Sequence, residues 1–354
     1  MKVAVLVSGG VDSAVALDQV KKQGHEVTAF YLKIWLEDEL AYLGDCPWQE
    51  DLSYVRAVCD QLNVPLEVIS LQQEYHDQVV AYTLEEIKAG RTPNPDIMCN
   101  ARIKFGSFLS VLEARGEHFD KIASGHYAQV AEYTGRWFLT RCPDPVKDQT
   151  YFLAGLSQEQ LSRVMFPIGH LHKYEVRALA EAANLPNKHR KDSQGICFLG
   201  KFKFTDFLRH HLGEKTGALI EWESGTQLAE HRGFWFYTIG QRQGIGLSGG
   251  PWYVVAKDTN KNHVYISRAY YAADKKRSTF VATDMNWFAG TAPEKTTVGV
   301  KVRHGQDIHA ARIVERSDGS LDVTLTERDQ GLASGQFAVL YDGQCCLGAG
   351  RIVV

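Results

Sequence analysis

Two groups of residues in this chain could do chemistry together: a glycine-serine turn near the start and cysteines far apart in the sequence. Lys2-Val3-Ala4-Val5-Leu6-Val7 runs directly into Ser8-Gly9-Gly10-Val11-Asp12-Ser13. An apolar run that ends in a glycine-rich turn before a helix makes an anion site. Glycines let backbone N–H groups approach the ligand, and the helix N-terminus adds its positive dipole end. No Gly-Lys-Ser/Thr follows, so the turn is not a Walker loop. The hydroxyls of Ser8 and Ser13 could donate to phosphate oxygens, and Asp12 could help hold Mg²⁺ beside them. The plainer alternative is a strand-to-helix turn with a Ser or Asp cap.

The cysteines are Cys46, Cys59, Cys99, Cys142, Cys197, Cys345 and Cys346. None forms a Cys-x-x-Cys pair, so neither a zinc ribbon nor a local redox motif is encoded. Cys99 ends the run Arg91-Thr92-Pro93-Asn94-Pro95-Asp96-Ile97-Met98-Cys99 and precedes Asn100-Ala101-Arg102-Ile103-Lys104. The prolines stop the preceding helix, and Asp96 is close enough to share a site with the thiol. Arg102, Lys104 and a helix start just after the cysteine could lower its pKa. Cys197 lies between Ile196 and Phe198, and its neighbours alone read as core. Cys59, Cys345 and Cys346 read as packing residues, and Cys46 and Cys142, each before a proline, as structural ones. Two further segments are chemically suggestive. In Ser124-Gly125-His126-Tyr127, Gly125 could admit a nucleotide and His126 could donate to phosphate, or His126 could be an ordinary satisfied histidine. Lys147-Asp148-Gln149 is either a helix cap or a ligand contact.

These residues need a scaffold. Strand-like runs at 2–7, 26–32, 66–71 and 121–124 alternate with helical periodicity near 13–22, 50–62, 74–89 and 105–114. Short apolar strands separated by helices predict an α/β fold, a parallel sheet with helices on both faces and the Ser-Gly-Gly turn at its carboxyl edge. A helix from Tyr174 to Ala183 and the basic stretch Lys188-His189-Arg190-Lys191 follow, then a short helix at 205–212. Phe234-Trp235-Phe236-Tyr237 and Trp252-Tyr253-Val254-Val255 read as strands. From about 278 the period is two, with turn signals at Ser317-Asp318-Gly319-Ser320 and Asp342-Gly343, which predicts a small antiparallel barrel or sandwich. The expected division is 1–204, 205–275 and 276–354. An acidic, aromatic insertion at 36–50 has no assigned role.

The chain of 354 residues is 44% hydrophobic and 23% charged, as in soluble globular proteins, and too long for one ordinary core. No apolar run approaches a membrane span, and the first strand starts beside Met1, so we expect a cytoplasmic location, or an organellar one after removal of a presequence. The net charge of −3 does not advertise a polyanion binder. Contacts of that kind would have to come from local patches.

The turn at 8–13 resembles the pyrophosphate loop of enzymes that cleave ATP between the α and β phosphates. Taken with Gly90–Asp96, Cys99-Asn100, Ile103–Phe105, Gly125–Tyr127, Lys147–Gln149, Gly195–Phe198 and Gly240–Gly244, it makes the whole chain similar to the tRNA-specific 2-thiouridylases of the MnmA type. The resemblance implies an ATP pyrophosphatase-type catalytic domain, a small central α+β domain and a C-terminal β-barrel. It implies ATP-dependent 2-thiolation of the wobble uridine of tRNAs with Lys, Glu and Gln type anticodons, with ATP and Mg²⁺ required and a cysteine desulfurase or sulfur carrier as donor. Leu6, Val7, Ser8, Gly9, Gly10, Val11, Asp12, Ser13, Leu32 and Gly125 would bind ATP. Asn94, Pro95 and Asp96 would meet the target base, with Asp96 as general acid/base. Lys147, Asp148, Gln149, Arg303 and His304 would touch tRNA. Cys99 would be the nucleophile and Cys197 the persulfide carrier, and the two would form a transient disulfide. The alternative is another pyrophosphate-loop ligase or synthetase acting on a small molecule, which leaves Cys99, Cys197 and the C-terminal barrel unexplained.

Overall fold

The computed structural model describes residues 1–34, 48–192, 203–270, 272, 277–329 and 331–354. Strands β1 (Lys2–Leu6), β2 (Glu26–Lys33), β3 (Leu66–Ser70), β4 (Lys121–Ala123) and β7 (Val164–Met165) form a five-stranded parallel sheet in the order β3-β2-β1-β4-β7. Val3, Ala4 and Val5 are fully buried, as a strand covered on both faces requires. Strand order reverses between β1 and β4, so the turn after β1 opens at the switch point where such sheets bind ligands. Helices α1 (Val11–Lys22) and α2 (Trp48–Leu62) pack on one face through Val15, Leu17, Val55 and Val58. The other face is covered by a rod that runs α-helical from Pro95–Met98, π-helical through Cys99–Ser107 and α-helical again through Phe108–Ala114. The sequence places the start of that helix after Cys99, and the structure puts it at Pro95. Proline suits the first helical position, where its missing N–H is not needed, and the Asn94 side chain accepts from the Ile97 N–H at 3.3 Å as the cap.

Strands β8 (Gly217–Glu221), β9 (Gln227–His231), β10 (Tyr253–Asp258) and β11 (His263–Ser267) make the four-stranded central sheet. Phe234–Phe236 is a 3₁₀ turn rather than the strand its aromatic run suggests. Gly233 sits at φ +141°, a value closed to most side chains, and the Phe234 N–H is drawn to Asn262 Oδ1 at 3.1 Å. In the last third, β12 (Arg277–Trp287), β13 (Thr297–Lys301), β14 (His309–Glu315), β15 (Leu321–Asp329), β16 (Phe337–Asp342) and β17 (Cys345–Val353) pair antiparallel in the order β12-β15-β14-β13-β16-β17, and β12 closes on β17 as a barrel. The hairpin β5 (Ala128–Tyr133) and β6 (Arg136–Arg141) belongs to the first part of the chain. It nevertheless extends the barrel sheet, because β6 pairs with β17 at Thr140–Cys345 and Leu139–Cys346. Cys59, Cys142 and Cys346 are buried, as structural thiols are. Most of the insertion, Cys46 and Cys197 lie outside the described residues.

Candidate active site

The turn after β1 is braced from within. Ser13 Oγ accepts from the Ser8 N–H at 3.2 Å and donates to the Gly10 carbonyl at 3.0 Å. Ser13 is buried and its hydrogen is already committed, so it shapes the loop, whereas Ser8 is exposed. Gly9, at φ +80°, lies under Arg190 Nη1 and the Asp51 carbonyl, 2.7 and 2.8 Å from where a Cβ would stand. Arg190 is itself paired with Asp51. Asn187 Nδ2 donates to the Gly9 carbonyl at 2.9 Å, while its Oδ1 is buried without a partner. Gly125 is required by packing. A Cβ there would meet Asp12 C and Ser13 N at 2.7 Å, so the end of β4 packs directly on the turn. Leu6 and Val7 are buried at the end of β1, and Leu32 is half-buried on β2 beside them.

Asp12 faces a group of cations. Lys173 Nζ binds Asp12 Oδ1 and Asp192 Oδ1, each at 2.7 Å, and Lys147 Nζ and Arg177 Nη2 reach Asp192 at 2.7 Å. Burial alone would raise the Asp192 carboxyl, but hydrogen bonds from Lys147 and Lys173 outweigh it and hold the group at about 2. Lys173 and Arg177 are one helical turn apart on α3 (Lys173–Ala182). The i,i+4 basic spacing is a signal in the sequence for that pair, whereas nothing around Asp192 marks it. Among the described residues no group of three or more His, Cys, Asp or Glu could hold a metal ion alone. Asp12 supplies one carboxylate, which fits the usual Mg²⁺ coordination by one or two carboxylates, phosphate oxygens and water.

A chain of hydrogen bonds leads from this turn to Cys99. Tyr127 Oη donates to Asp12 Oδ1 at 2.9 Å. The Tyr127 N–H donates to Gln149 Oε1 at 2.9 Å, and the Gln149 N–H donates to the Tyr127 carbonyl at 2.9 Å. The Phe152 N–H donates to the Gln149 carbonyl, and Asn100 Nδ2 donates to the Phe152 carbonyl at 3.1 Å. Cys99, next to Asn100, is fully buried in the second turn of the rod. The π-helical stretch that begins at Cys99 is of a rare kind that concentrates at functional sites. Gln160 Nε2 donates to two of its carbonyls, those of Ala101 at 2.7 Å and Phe105 at 2.9 Å.

Several predicted roles change with the geometry. Arg102 is exposed and donates to the Gln78 carbonyl at 3.0 Å, away from the thiol it was expected to activate. His126 lies between Phe105 and Phe166 with Nδ1 2.8 Å from Ser124 Oγ. Burial, reinforced by Lys104, pushes its pKa well below the histidine range, so it is a neutral ring packed against two phenylalanines. Asp148 was expected to touch tRNA, but its side chain is sealed from solvent between Lys301 Nζ and Arg141 Nε, both at 2.8 Å. Arg303 forks onto Asp329 at 2.9 and 2.8 Å. His304 lies over Phe152 with ring centres 4.4 Å apart, and the Asp96 charge reaches it. Phe152, three residues past Gln149, and the Asp96 charge thus place His304 beside the 94–96 segment, whereas Lys147 reaches Asp192 in the cation group by the 8–13 turn. Cys197, and with it any pairing with Cys99, lies outside the described residues.

Family models cover nearly all of the chain: tRNA methyl transferase HUP domain at residues 1–201, tRNA methyl transferase PRC-barrel domain at 205–268 and aminomethyltransferase beta-barrel domain at 277–352. The chain is 45% identical over 363 residues to the tRNA-specific 2-thiouridylase MnmA of Parabacteroides distasonis, covering 100% of this chain and 99% of that one. It is 44% identical over 358 residues to MnmA 1 of Bacteroides thetaiotaomicron, covering 99% of each. The chain belongs to the MnmA family of tRNA-specific 2-thiouridylases. Likeness to solved structures is remote. An NMN synthetase from Francisella tularensis matches at 17% identity over 58% of this chain and 71% of that one, with a TM-score of 0.34 that adds nothing to the assignment. As a member of the MnmA family, the chain is a tRNA-thiolating enzyme.

Proposed function

We propose that this enzyme converts the C2 oxygen of the wobble uridine of tRNA to sulfur at the expense of ATP. The observation that carries the reading is the bonded path from Asp12 through Tyr127, Gln149 and Phe152 to Asn100, because it ties the nucleotide turn to the Cys99 helix. A uridine carbonyl oxygen is a poor leaving group, so it must first be activated. In this reading the C2 oxygen attacks the α-phosphorus of ATP, pyrophosphate leaves and Asp96 takes the proton from the ring nitrogen. N–H groups of the 8–13 turn and the cations Lys173, Lys147 and Arg177, which are clustered on Asp12 and Asp192, would stabilise the phosphate charge that develops. Mg²⁺, held by Asp12 and the phosphates, would add charge neutralisation there.

The terminal sulfur of a Cys197 persulfide then attacks C2 and AMP departs. The Cys99 thiolate attacks Cys197 Sγ, the S–S bond to the transferred sulfur breaks with its electron pair on the thiouridine, and a Cys99–Cys197 disulfide remains for an external thiol to reduce. A cysteine desulfurase or sulfur carrier reloads Cys197. The target base has to leave its stack to reach the buried end of the rod, and the cytoplasm is the compartment we assign to the reaction. The test uses purified tRNA, ATP, Mg²⁺ and a sulfur source, with 2-thiouridine measured by nucleoside mass spectrometry. Cys99→Ser and Cys197→Ser should each abolish product while ATP still binds. Full product from Cys197→Ser would remove the persulfide step, and no product from the unmodified protein would favour a small-molecule substrate.

A further inference from the structure

The segment that carries Asn94, Pro95 and Asp96 is not held by the catalytic domain alone. The Thr92 N–H donates to the Ser334 carbonyl at 2.8 Å. Gln336 Nε2 donates to the carbonyls of Thr92 and Pro93, both at 3.1 Å. The opposite end of the same amide, Gln336 Oε1, lies 3.4 Å from Tyr151 Oη and shares that hydroxyl's hydrogen with the Phe337 carbonyl at 3.2 Å, and Tyr151 is two residues past Gln149. The turn that presents Gln336 lies between β15 and β16 and is fixed to β17 by Gly335 N–H to Ile352 O at 3.0 Å and Ile352 N–H to Gln336 O at 2.8 Å. Gly335 has φ +92°, and a Cβ there would stand 2.9 Å from Arg91 Cβ and the Thr92 carbonyl, so only glycine permits the docking. Glu86 adds a charged brace, accepting from Arg91 at 2.7 and 2.6 Å and from Arg351 of the barrel at 3.3 Å. From the other side, Thr259 of the central domain abuts Gly90.

We infer that the C-terminal barrel sets the geometry of the base-recognition segment and that Gln336 is its positioning residue, one amide bridging the 92–95 turn to Tyr151. The inference rests on the reading above that Asn94–Asp96 meets the target base. Prolines at 93 and 95 leave that turn few internal hydrogen bonds, so its carbonyls depend on an outside donor. Gln336 supplies it without touching substrate, and the expected defect is in turnover rather than in RNA binding.

Gln336→Met keeps the stem and the volume and removes both halves of the amide. The single-turnover thiolation rate at saturating ATP and tRNA should fall roughly tenfold or more, as expected when two half-buried carbonyls lose their donor. The Kd for tRNA and the KM for ATP should stay within about twofold of the unmodified protein. Backbone amides at 94–98 should exchange with deuterium faster in the variant. Gln336→Asn, whose amide is withdrawn by one methylene, should show the same split if the methionine variant does not fold. An unchanged rate would overturn the inference, as would a tRNA Kd that weakens in step with the rate, since Gln336 would then be an RNA contact rather than a positioning residue. Unchanged exchange at 94–98 would overturn it independently of catalysis. If the unmodified protein makes no 2-thiouridine yet the variant loosens 94–98, the clamp stands and the assigned substrate is what fails.

Discussion

Asp192 sits at the centre of three cations and shares one of them, Lys173, with Asp12 of the 8–13 turn. An anion in that position marks where further negative charge would be welcome, and triphosphate oxygens carry it. Lys173→Met should therefore cut pyrophosphate release roughly 10²-fold and raise the KM for ATP, the range seen when one preorganised donor to a developing charge is removed. Release at the normal rate would show that the cluster only holds the fold. The Asp192 carboxyl, held at about 2, favours the folded state above its ordinary range, and that contribution is lost as pH falls toward 2. His126 acts nearer neutrality. Its folded pKa lies well below the usual 6.5, so between those values the unfolded chain takes up a proton that the folded chain refuses. Stability should decline as pH drops below about 6.5. His126→Asn should give a shallower slope of Tm against pH over that interval, and parallel slopes would mean that the ring titrates normally.

At the scale of elements, the end of β4 and the 8–13 turn form one unit because Gly125 lets their backbones meet. Gly125→Ala should push Asp12 and Ser13 outward, raise the KM for ATP and cost about 1–3 kcal/mol in denaturant unfolding, as overpacking does. A variant with unchanged ATP kinetics would separate the two elements. The parallel strands were legible in the sequence because buried apolar runs announce themselves. The start of the Cys99 rod was not, since Pro93-Asn94-Pro95 reads equally as a break and as a cap followed by a proline at the first helical position. Phe234–Phe236 misled because strand propensity was overridden by Gly233 and a bond to Asn262. The motifs at 8–13, 94–96 and 147–149 could be found from their own residues. Their partners could not: Lys173 for Asp12, Lys301 for Asp148 and, for the Thr92-Pro93 lead-in to 94–96, Gln336 are each more than a hundred residues away. Local chemistry gives no sign of a partner supplied by the fold.

On the scale of the whole molecule, the catalytic domain and the barrel are joined by buried charge. Lys301 on β13 is fully buried, as is Asp148, and Arg141 and Thr150 complete the carboxylate's partners. Thr150 Oγ1 also meets Tyr341 Oη of β16 at 3.0 Å, and β6 continues the barrel sheet. Burial would raise the Asp148 carboxyl, but the Lys301 hydrogen bond and charge bring it below its ordinary value. An ion pair of this kind adds little over a well-packed apolar pair, yet removing one partner leaves a charge stranded away from water. Lys301→Met should lower stability by about 3 kcal/mol, the low end of the range for a broken buried pair because Arg141 still faces Asp148. Urea unfolding reports it as a lower midpoint. The loss should appear as one transition with an unchanged slope, because the interface is shared, and two separated transitions would show that barrel and catalytic domain unfold independently. Asp148→Asn combined with Lys301→Met should lose less than the sum of the single variants, since the double change removes both charges that the other side would otherwise leave unpaired. A strictly additive loss would mean that the two residues act on stability separately, and the charged seam would no longer account for the joining of the domains.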